Sequence, residues 1–195
     1  MLAAVILSGG ASQRMGSPKA LLPYRGKTFL EHLREVSTHP QIRERRIVLG
    51  PHAEAIRSAV PLPDSEIVLN PEWEKGQLSS IHAAIRTLPD DLDGLILFLV
   101  DHPAVSSSLV GQLIDRFYSE NPRPRIALPK YKDRRGHPVI FASSLFPELL
   151  AASMERGARD VVWSHASEVA EVPTLEEGCV LNVNDPEALQ KIQKA

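Results

Sequence analysis

The amino-acid sequence predicts a Rossmann-like α/β fold, in which a mostly parallel open sheet lies between two layers of helices. Two apolar runs, Ala4 to Leu7 and Leu95 to Val100, are continuous, as expected of central parallel strands covered on both faces. Between them, apolar residues from Leu78 to Leu88 recur at helical spacing. Alternation of strands and helices is typical of a parallel sheet.

The first half of the chain supplies the early strand–helix units. Thr28 and Glu31 form a capping-box pattern that predicts a helix, and His39-Pro40 ends it. A strand, a helix and a strand are then predicted at Arg46–Leu49, Ala53–Ala59 and Ile67–Leu69.

The second half continues the pattern after the Leu95 run. Helices are predicted at Leu109–Phe117, Leu145–Leu150 and Ala158–Val162, and strands at Ile126–Leu128, Val139–Phe141, Val169–Val172 and Val180–Val183. A terminal helix follows, with Asp185 as its N-cap and Pro186 at its first position.

Length and composition exclude several classes of protein. The 195 residues suit one domain with a substantial core, so we predict a single domain over residues 1–195. A formal net charge of −2 gives no electrostatic case for a nucleic-acid or membrane partner. The one cysteine, Cys179, excludes an internal disulfide and is expected in the core. Without a membrane-length apolar run or a leader pattern, we expect a cytoplasmic protein.

A glycine pair follows the first apolar run. Ser8-Gly9-Gly10 comes directly after it, and Arg14 and Lys19 lie on the same turn-rich segment. Glycines let the backbone approach an anion, and the two cations suit the phosphates of a nucleotide. The spacing matches neither G-x-G-x-x-G nor a P-loop, which disfavours a dehydrogenase or a P-loop ATPase. The alternative is an ordinary turn with two solvated cations.

A second polar cluster lies at the start of the helix that contains Leu78. Gly76, Ser79 and Ser80 lie where free N–H groups suit an anion or a polar ligand. Ser79 alternatively caps the helix, which is the interpretation that the sequence alone favours.

Asp101 ends the second apolar run. Ligands of open parallel sheets bind beyond the carboxyl ends of the strands, so Asp101 and the Ser8-Gly9-Gly10 loop are expected to face one crevice. A carboxylate there suits Mg²⁺, which bridges carboxylates to phosphates. The alternative is that Asp101 caps a helix beginning near Ser106 or lies in a turn.

The segment Lys130 to Arg135 is strongly basic and leads into Gly136-His137-Pro138. A run of this kind is usually a solvated face. The adjoining glycine and histidine leave open the docking of an anionic substrate.

These motifs together resemble those of a known family. LSGGASQRMGSPKALLPYRG is similar to the signature of the nucleotidyltransferases that attach a nucleoside monophosphate to molybdopterin. NPEWEKGQLSSIHAAI, LVDHPAVS, RRGHPVIF and NVNDPEAL follow in the family's order, and GQLSS and RRGHP resemble its cytidylyltransferase branch. The resemblance implies a nucleotidyltransferase fold and Mg²⁺-dependent transfer of CMP from CTP to molybdopterin, with release of pyrophosphate.

The resemblance also implies roles for individual residues. The expected catalytic residues are Arg14, Lys19 and Asp101. Those expected around the nucleotide are Leu7, Ser8, Gly9, Gly10, Asn70, Gly76 and Ser80. The expected Mg²⁺ ligands are Asp101 and, more weakly, Asn184. The residues expected to border the second substrate are Gly136, His137 and Pro138.

Two alternatives stay open. The glycine pair and the Asn182-x-Asn184 pattern resemble the guanylyltransferase branch, which implies GTP instead of CTP. From a different class, the chain is a catalytically silent nucleotide-binding module that assists insertion of the cofactor into a molybdoenzyme, directly or with its maturation chaperone.

Overall fold

The structure, a computed structural model, describes residues 1–11 and 16–193. Its strands are β1 (Leu2–Ser8), β2 (Pro23–Tyr24), β3 (Lys27–Thr28), β4 (Ile42–Leu49), β5 (Ile67–Leu69), β6 (Gly94–Leu99), β7 (Ile126–Tyr131), β8 (Arg134–Arg135), β9 (Val139–Ala142) and β10 (Val169–Pro173). Its helices are α1 (Phe29–Val36), α2 (Ala53–Ala59), α3 (Gln77–Ile85), α4 (Ser107–Ser119), α5 (Phe146–Ala151), α6 (Ala158–Ser164) and α7 (Pro186–Gln193).

Eight strands form one sheet in the order β5-β4-β1-β6-β9-β7-β10, with β8 paired to β7. β1 is parallel to β4 and β6, β4 to β5, and β7 to β10, whereas β9 runs antiparallel to both of its neighbours. The predicted mostly parallel sheet is confirmed. β4 and β5 extend from one side of β1 and β6 lies on the other, so the strand order reverses there. Such a reversal leaves a crevice at the carboxyl ends of the strands.

β1 is buried along its whole length and separates two apolar layers. Its even-numbered residues from Leu2 to Ile6 belong to a core that includes residues of α1, α2, α4 and α7. Its odd-numbered residues from Ala3 to Leu7 belong to a core with residues of α3, α5 and α6, as the two-residue period of a strand requires. The predicted three-layer arrangement is confirmed. No helix in the described part of the chain has the length and apolar content needed to cross a membrane.

Three helices, α1, α4 and α7, begin where their sequence signals predict. The Thr28–Glu31 capping box is present, and Asp185 Oδ1 accepts from the Ala188 N–H at 2.8 Å. Ser106 caps α4, with its hydroxyl accepting from the Leu109 N–H. The cap of α4 is therefore Ser106, and the Asp101 carboxylate has another role.

Three short strands, β2, β3 and β8, were not predicted, and two of the predicted strands differ clearly from the structure. β4 begins at Ile42, ahead of the predicted start at Arg46, because its backbone pairs with β1 although its side chains there are charged. The predicted strand at 180–183 is wrong. Its first residue ends a short 3₁₀ helix, and the next residues lie against the Asp101 loop, where the Val183 N–H donates to the Asp101 carbonyl at 2.8 Å.

A histidine at the end of α6 gives the fold a pH-dependent contact. His165 Nε2 lies 2.6 Å from Glu148 and Nδ1 lies 2.7 Å from Glu168, with Arg125 3.1 Å from Nδ1. The hydrogen bonds to Glu148 and then Glu168 raise the pKa of His165.

The contact should stabilise the protein fully below the unfolded pKa of histidine, about 6.5, and lose its effect as pH rises through the raised folded pKa. We expect His165→Gln to melt about 2 °C below the wild type near pH 5.5, and this gap to shrink near pH 8.5. Thermal unfolding of both proteins at the two pH values measures the difference. An equal gap at both would contradict the contribution of the charged ring.

Candidate functional site

A cavity of about 670 Å³ opens at the crevice between β1 and β6. It is lined by the end of β1 and the loop to Ala11, by the start of α3, by the end of β6 with Asp101, and by Asn182 and Asn184. Small-molecule sites typically have volumes of roughly 300–1,000 Å³. Residues far apart in the sequence therefore meet around a space large enough for a nucleotide.

The loop after β1 forms one wall of this cavity with little side-chain bulk. The Val100 N–H donates to the Leu7 carbonyl at 3.1 Å, which ties β6 to β1. A Cβ on Gly9 would lie 2.8 Å from Ser80 Oγ, so the glycine lets α3 approach the loop. A Cβ on Gly10 would meet nothing within 4 Å. Gly9 therefore admits α3, and Gly10 leaves room for a bulky anion beside the backbone.

Three polar groups meet at the base of the cavity. The Lys19 ammonium lies 3.3 Å from Asp101 Oδ2 and 2.5 Å from Asn184 Oδ1. The Lys19 and Asp101 side chains are 15% and 23% exposed, so solvent screens this pair less than an ion pair on the surface. The structure thus brings together three of the predicted site residues. Arg14, the other predicted catalytic residue, lies outside the described residues.

The same geometry fits a divalent cation. The ammonium nitrogen marks a point that a carboxylate oxygen and an amide oxygen both reach, and Mg²⁺ and Mn²⁺ prefer oxygen ligands. Over residues 1–11 and 16–193, no group of three or more His, Cys, Asp or Glu side chains is placed to hold a metal. Asp101 and Asn184 would therefore supply two ligands, and water or substrate phosphates the others.

The position of Asn184 follows from the backbone of its segment. The Val183 N–H is held by the Asp101 carbonyl, and the Val183 side chain is fully buried. Alternate residues of an extended chain point to opposite sides, so Asn182 and Asn184 both reach the cavity.

Asn70 is buried and forms hydrogen bonds with the first turn of α3. Its Nδ2 donates to Ser79 Oγ at 2.9 Å and to Ser80 Oγ at 3.0 Å, and its Oδ1 accepts from the Glu72 N–H. The interpretation of Ser79 as a cap is wrong, because Gly76 is the N-cap and the Ser79 hydroxyl donates back to the Gly76 carbonyl at 2.7 Å. Gly76 and Ser80 line the cavity, and their contact with a ligand stays a prediction.

Gly136, His137 and Pro138 are not among the residues that line the cavity, although His137 packs beside the Asp101 loop. The His137 N–H donates to the Cys179 carbonyl at 2.8 Å, and a Cβ on Gly136 would lie 2.5 Å from that oxygen. The His137 ring lies 5.0 Å from the ring of His102, and burial lowers the pKa of His137 to about 4. The segment is therefore packed and neutral, and its role at a second substrate stays a prediction.

The basic run lies on the β7–β8 hairpin. Glu171 accepts from Lys130 Nζ at 2.6 Å and from Arg135 Nε at 2.8 Å. Arg134 Nη2 donates to the Val180 carbonyl at 3.2 Å. Part of the positive charge is therefore compensated within the protein, which favours the solvated-face interpretation.

Several residues around the cavity were not predicted from the sequence. Gly50 lies so close to Gly9 that a Cβ would overlap the Gly9 carbonyl oxygen. His52 Nε2 lies 2.9 Å from the Ala11 carbonyl oxygen, across 41 positions of sequence. Trp73 and Gln77 also line the cavity. Trp73, close to Gly76 in the sequence, could have been predicted to line the cavity. Contacts between distant loops leave no local sequence pattern, so Gly50 and His52 could not.

Comparison with known proteins decides the family. The family model of the MobA-like NTP transferase domain matches residues 4–169. The chain belongs to this family. The matched range contains the β1 loop, Lys19 and Asp101 of the MobA-like domain, and it ends before Asn182 and Asn184.

Individual relatives of the MobA-like domain carry different names. A protein of Paenarthrobacter nicotinovorans named nicotine blue oxidoreductase is 34% identical over 166 residues, 80% of this chain and 78% of that protein. The structure of Rv0371c from Mycobacterium tuberculosis H37Rv has a TM-score of 0.82 at 28% identity, covering 100% of this chain and 97% of that chain. Its manganese complex has a TM-score of 0.78 at 26% identity, covering 100% and 98%.

A further structural relative shows the fold alone. Molybdopterin-guanine dinucleotide biosynthesis protein A from Archaeoglobus fulgidus has a TM-score of 0.69 at 20% identity, covering 99% of this chain and 97% of that chain. The Rossmann-like nucleotidyltransferase fold of the MobA-like domain is therefore shared with distant relatives.

Gly50 offers a test of the loop geometry. We expect Gly50→Ala to lower the free energy of unfolding by about 1–3 kcal/mol and to weaken nucleotide binding, because the added methyl group pushes the Gly9 backbone. Gly111→Ala in α4 is the matched control, since its Cβ would meet nothing within 4 Å. Chemical unfolding and titration with nucleoside triphosphates measure the two effects. Wild-type behaviour of Gly50→Ala would contradict the close approach of the two loops.

Proposed function

We propose that this MobA-like domain transfers a nucleoside monophosphate from a nucleoside triphosphate to a phosphorylated acceptor and releases pyrophosphate. The observation that carries the proposal is the convergence of Lys19, Asp101 and Asn184 beside the Gly9-Gly10 backbone. This arrangement offers space for a triphosphate, the positive charge of Lys19 to balance the phosphates, and oxygen ligands for a divalent cation.

The proposed chemistry is an in-line displacement at phosphorus. A phosphate oxygen of the acceptor attacks the α-phosphorus and forms a new P–O bond, while the bond from the α-phosphorus to the oxygen that bridges it to the β-phosphate breaks. The electron pair of that bond leaves with pyrophosphate. The attacking phosphate is already anionic, so no protein base has to remove a proton. The protein contributes positioning and charge stabilisation, with Lys19 at the transferred group and Arg14 at the departing pyrophosphate.

Mg²⁺ is the proposed divalent cation, with Asp101 and Asn184 as its protein ligands. When bound, it supplies positive charge at the phosphates. For a cation to bind these two oxygens, the Lys19 ammonium would have to move from between them, because two cations cannot share one point. Triphosphate oxygens are strong partners for an ammonium group and would draw Lys19 towards the nucleotide. The manganese complex of Rv0371c supports the use of a divalent metal.

The proposed substrates are CTP and molybdopterin, on the resemblance of the GQLSS and RRGHP segments to the cytidylyltransferases. Gly76 and Ser80 are proposed to contact the base and ribose, with Asn70 holding the Ser80 hydroxyl. Residues 136–138 remain the proposed border of the second substrate. Delivery of the product to a molybdoenzyme, directly or through its maturation chaperone, completes the proposal.

Pyrophosphate release tests the choice of nucleotide. Purified protein is incubated with molybdopterin, Mg²⁺ and one of CTP, GTP or ATP. We expect release to be at least about tenfold faster with CTP, a difference of about 1.4 kcal/mol in the activation free energy. Faster release with GTP would assign the guanylyltransferase reaction. Nucleotide binding without pyrophosphate release would indicate a catalytically silent nucleotide-binding module.

The Paenarthrobacter relative favours a second candidate, an oxidoreductase activity. A nicotinamide dinucleotide also contains a pyrophosphate, so a phosphate loop alone does not separate the two activities. The Lys19–Asp101 pair at the base of the cavity favours transfer. Oxidation of NADH or NADPH with a blue dye acceptor, in the absence of any nucleoside triphosphate, would support the oxidoreductase instead.

A further inference from the structure

We infer that His52 is a positioning residue that holds the loop from Gly9 to Ala11 in its ligand-binding shape. The inference rests on the proposed function, because this is the loop proposed to receive the triphosphate. His52 Nε2 lies 2.9 Å from the Ala11 carbonyl oxygen, and His52 itself lines the cavity. A carbonyl oxygen only accepts, so Nε2 carries the proton and donates.

The position of His52 at the start of α2 indicates that its side chain serves the loop and not the helix. His52 is the N-cap residue of α2, where a side chain commonly accepts a hydrogen bond from the first turn. The His52 side chain makes no such capping bond. Its ring instead reaches a loop that precedes it by 41 positions.

Gly50 makes this reach possible. The Ala53 N–H donates to the Gly50 carbonyl at 3.2 Å, which fixes the turn that carries His52. Because Gly50 lacks a Cβ, this turn contacts the backbone of Gly9 directly. The turn therefore contacts the loop at Gly9 and, through His52, at Ala11, and both residues line the cavity.

The hydrogen bond also has an electrostatic consequence. A peptide oxygen turned towards a triphosphate repels its negative charge, whereas an oxygen already engaged by a donor is held in another direction. His52 thus orders the loop and keeps one carbonyl oxygen engaged by a donor. Both effects strengthen nucleotide binding more than they change the chemical step.

The test compares His52→Ala, His52→Gln and His52→Asn, with His39→Ala as a control histidine outside the cavity lining. Glutamine places its amide nitrogen near the position of Nε2, and asparagine near that of Nδ1. CTP binding is measured by calorimetry without acceptor, and hydrogen exchange of the amides of residues 9–11 is measured without nucleotide. We expect His52→Ala to weaken CTP binding and to speed exchange about five- to tenfold, with KM raised and kcat little changed. Glutamine should restore both to within about twofold.

Other outcomes overturn the inference. Wild-type binding and exchange in His52→Ala would do so, and so would restoration by asparagine but not by glutamine, which would assign the effect to Nδ1. If His52→Ala does not fold, the comparison of glutamine with asparagine decides. If the wild type binds CTP but transfers no nucleotide, the proposed function fails while these comparisons still stand. If the wild type binds no nucleotide, both fail.

Discussion

Replacing Asp101 by asparagine is expected to slow pyrophosphate release by about two to three orders of magnitude. The substitution keeps the size of the side chain and the backbone carbonyl that holds Val183, but it removes the negative charge beside Lys19. A neutral amide oxygen is also a weaker ligand for Mg²⁺ than a carboxylate. The rate is measured with CTP, molybdopterin and saturating Mg²⁺.

Asp115→Asn is the matched control, because Asp115 is an exposed carboxylate on α4. Its rate of pyrophosphate release should equal that of the wild type. Asp101→Asn should also keep wild-type thermal stability to within a few degrees, which separates loss of charge from loss of fold. Turnover of Asp101→Asn within about threefold of the wild type would remove Asp101 from the proposed reaction centre.

Lys19→Met is expected to change two measurements in opposite directions. Turnover should fall by about two to three orders of magnitude, because the ammonium no longer stabilises the transferred phosphoryl group. Binding of Mn²⁺ without nucleotide should become at least about tenfold tighter, because the ammonium no longer occupies the point between Asp101 and Asn184. Methionine has a similar length and no charge.

Electron paramagnetic resonance of free Mn²⁺ measures the second effect without any turnover. Lys191→Met on α7 is the control, since Lys191 is an exposed lysine paired with Glu177. It should leave both turnover and Mn²⁺ binding unchanged. Equal Mn²⁺ affinity of Lys19→Met and the wild type would contradict the competition of Lys19 with the metal.

The parts of the fold that depend on continuous apolar runs were predictable. β1 and most of β6 are buried, and burial on both faces is what their uninterrupted apolar residues indicate. Asp101 was found for the same reason, since it follows such a run and the carboxyl ends of parallel strands share one edge. The shared crevice of Asp101 and the Ser8-Gly9-Gly10 loop therefore followed from the strand pattern, whereas the contact between Lys19 and Asp101 did not.

Features fixed by contacts between distant segments were not predictable. The first half of β4 consists mostly of charged residues, so it lacks the apolar pattern of a strand. Its backbone nevertheless pairs with β1. Nothing in the sequence around His52 indicates its contact with Ala11, which only the fold brings close to it. Residues 180–183 were mistaken for a strand because their apolar side chains suit any buried extended chain, including one held by the Asp101 loop.

Transfer of label from the α-phosphate of CTP tests nucleotidyl transfer most directly. Protein, Mg²⁺, molybdopterin and CTP labelled at the α-phosphate are incubated together, and the products are separated. We expect the α-label to move to the acceptor in equal amount with unlabelled pyrophosphate, and this movement to be lost in Asp101→Asn. Label that stays in CTP, while the protein binds CTP and molybdopterin, would contradict nucleotidyl transfer as the function of this site.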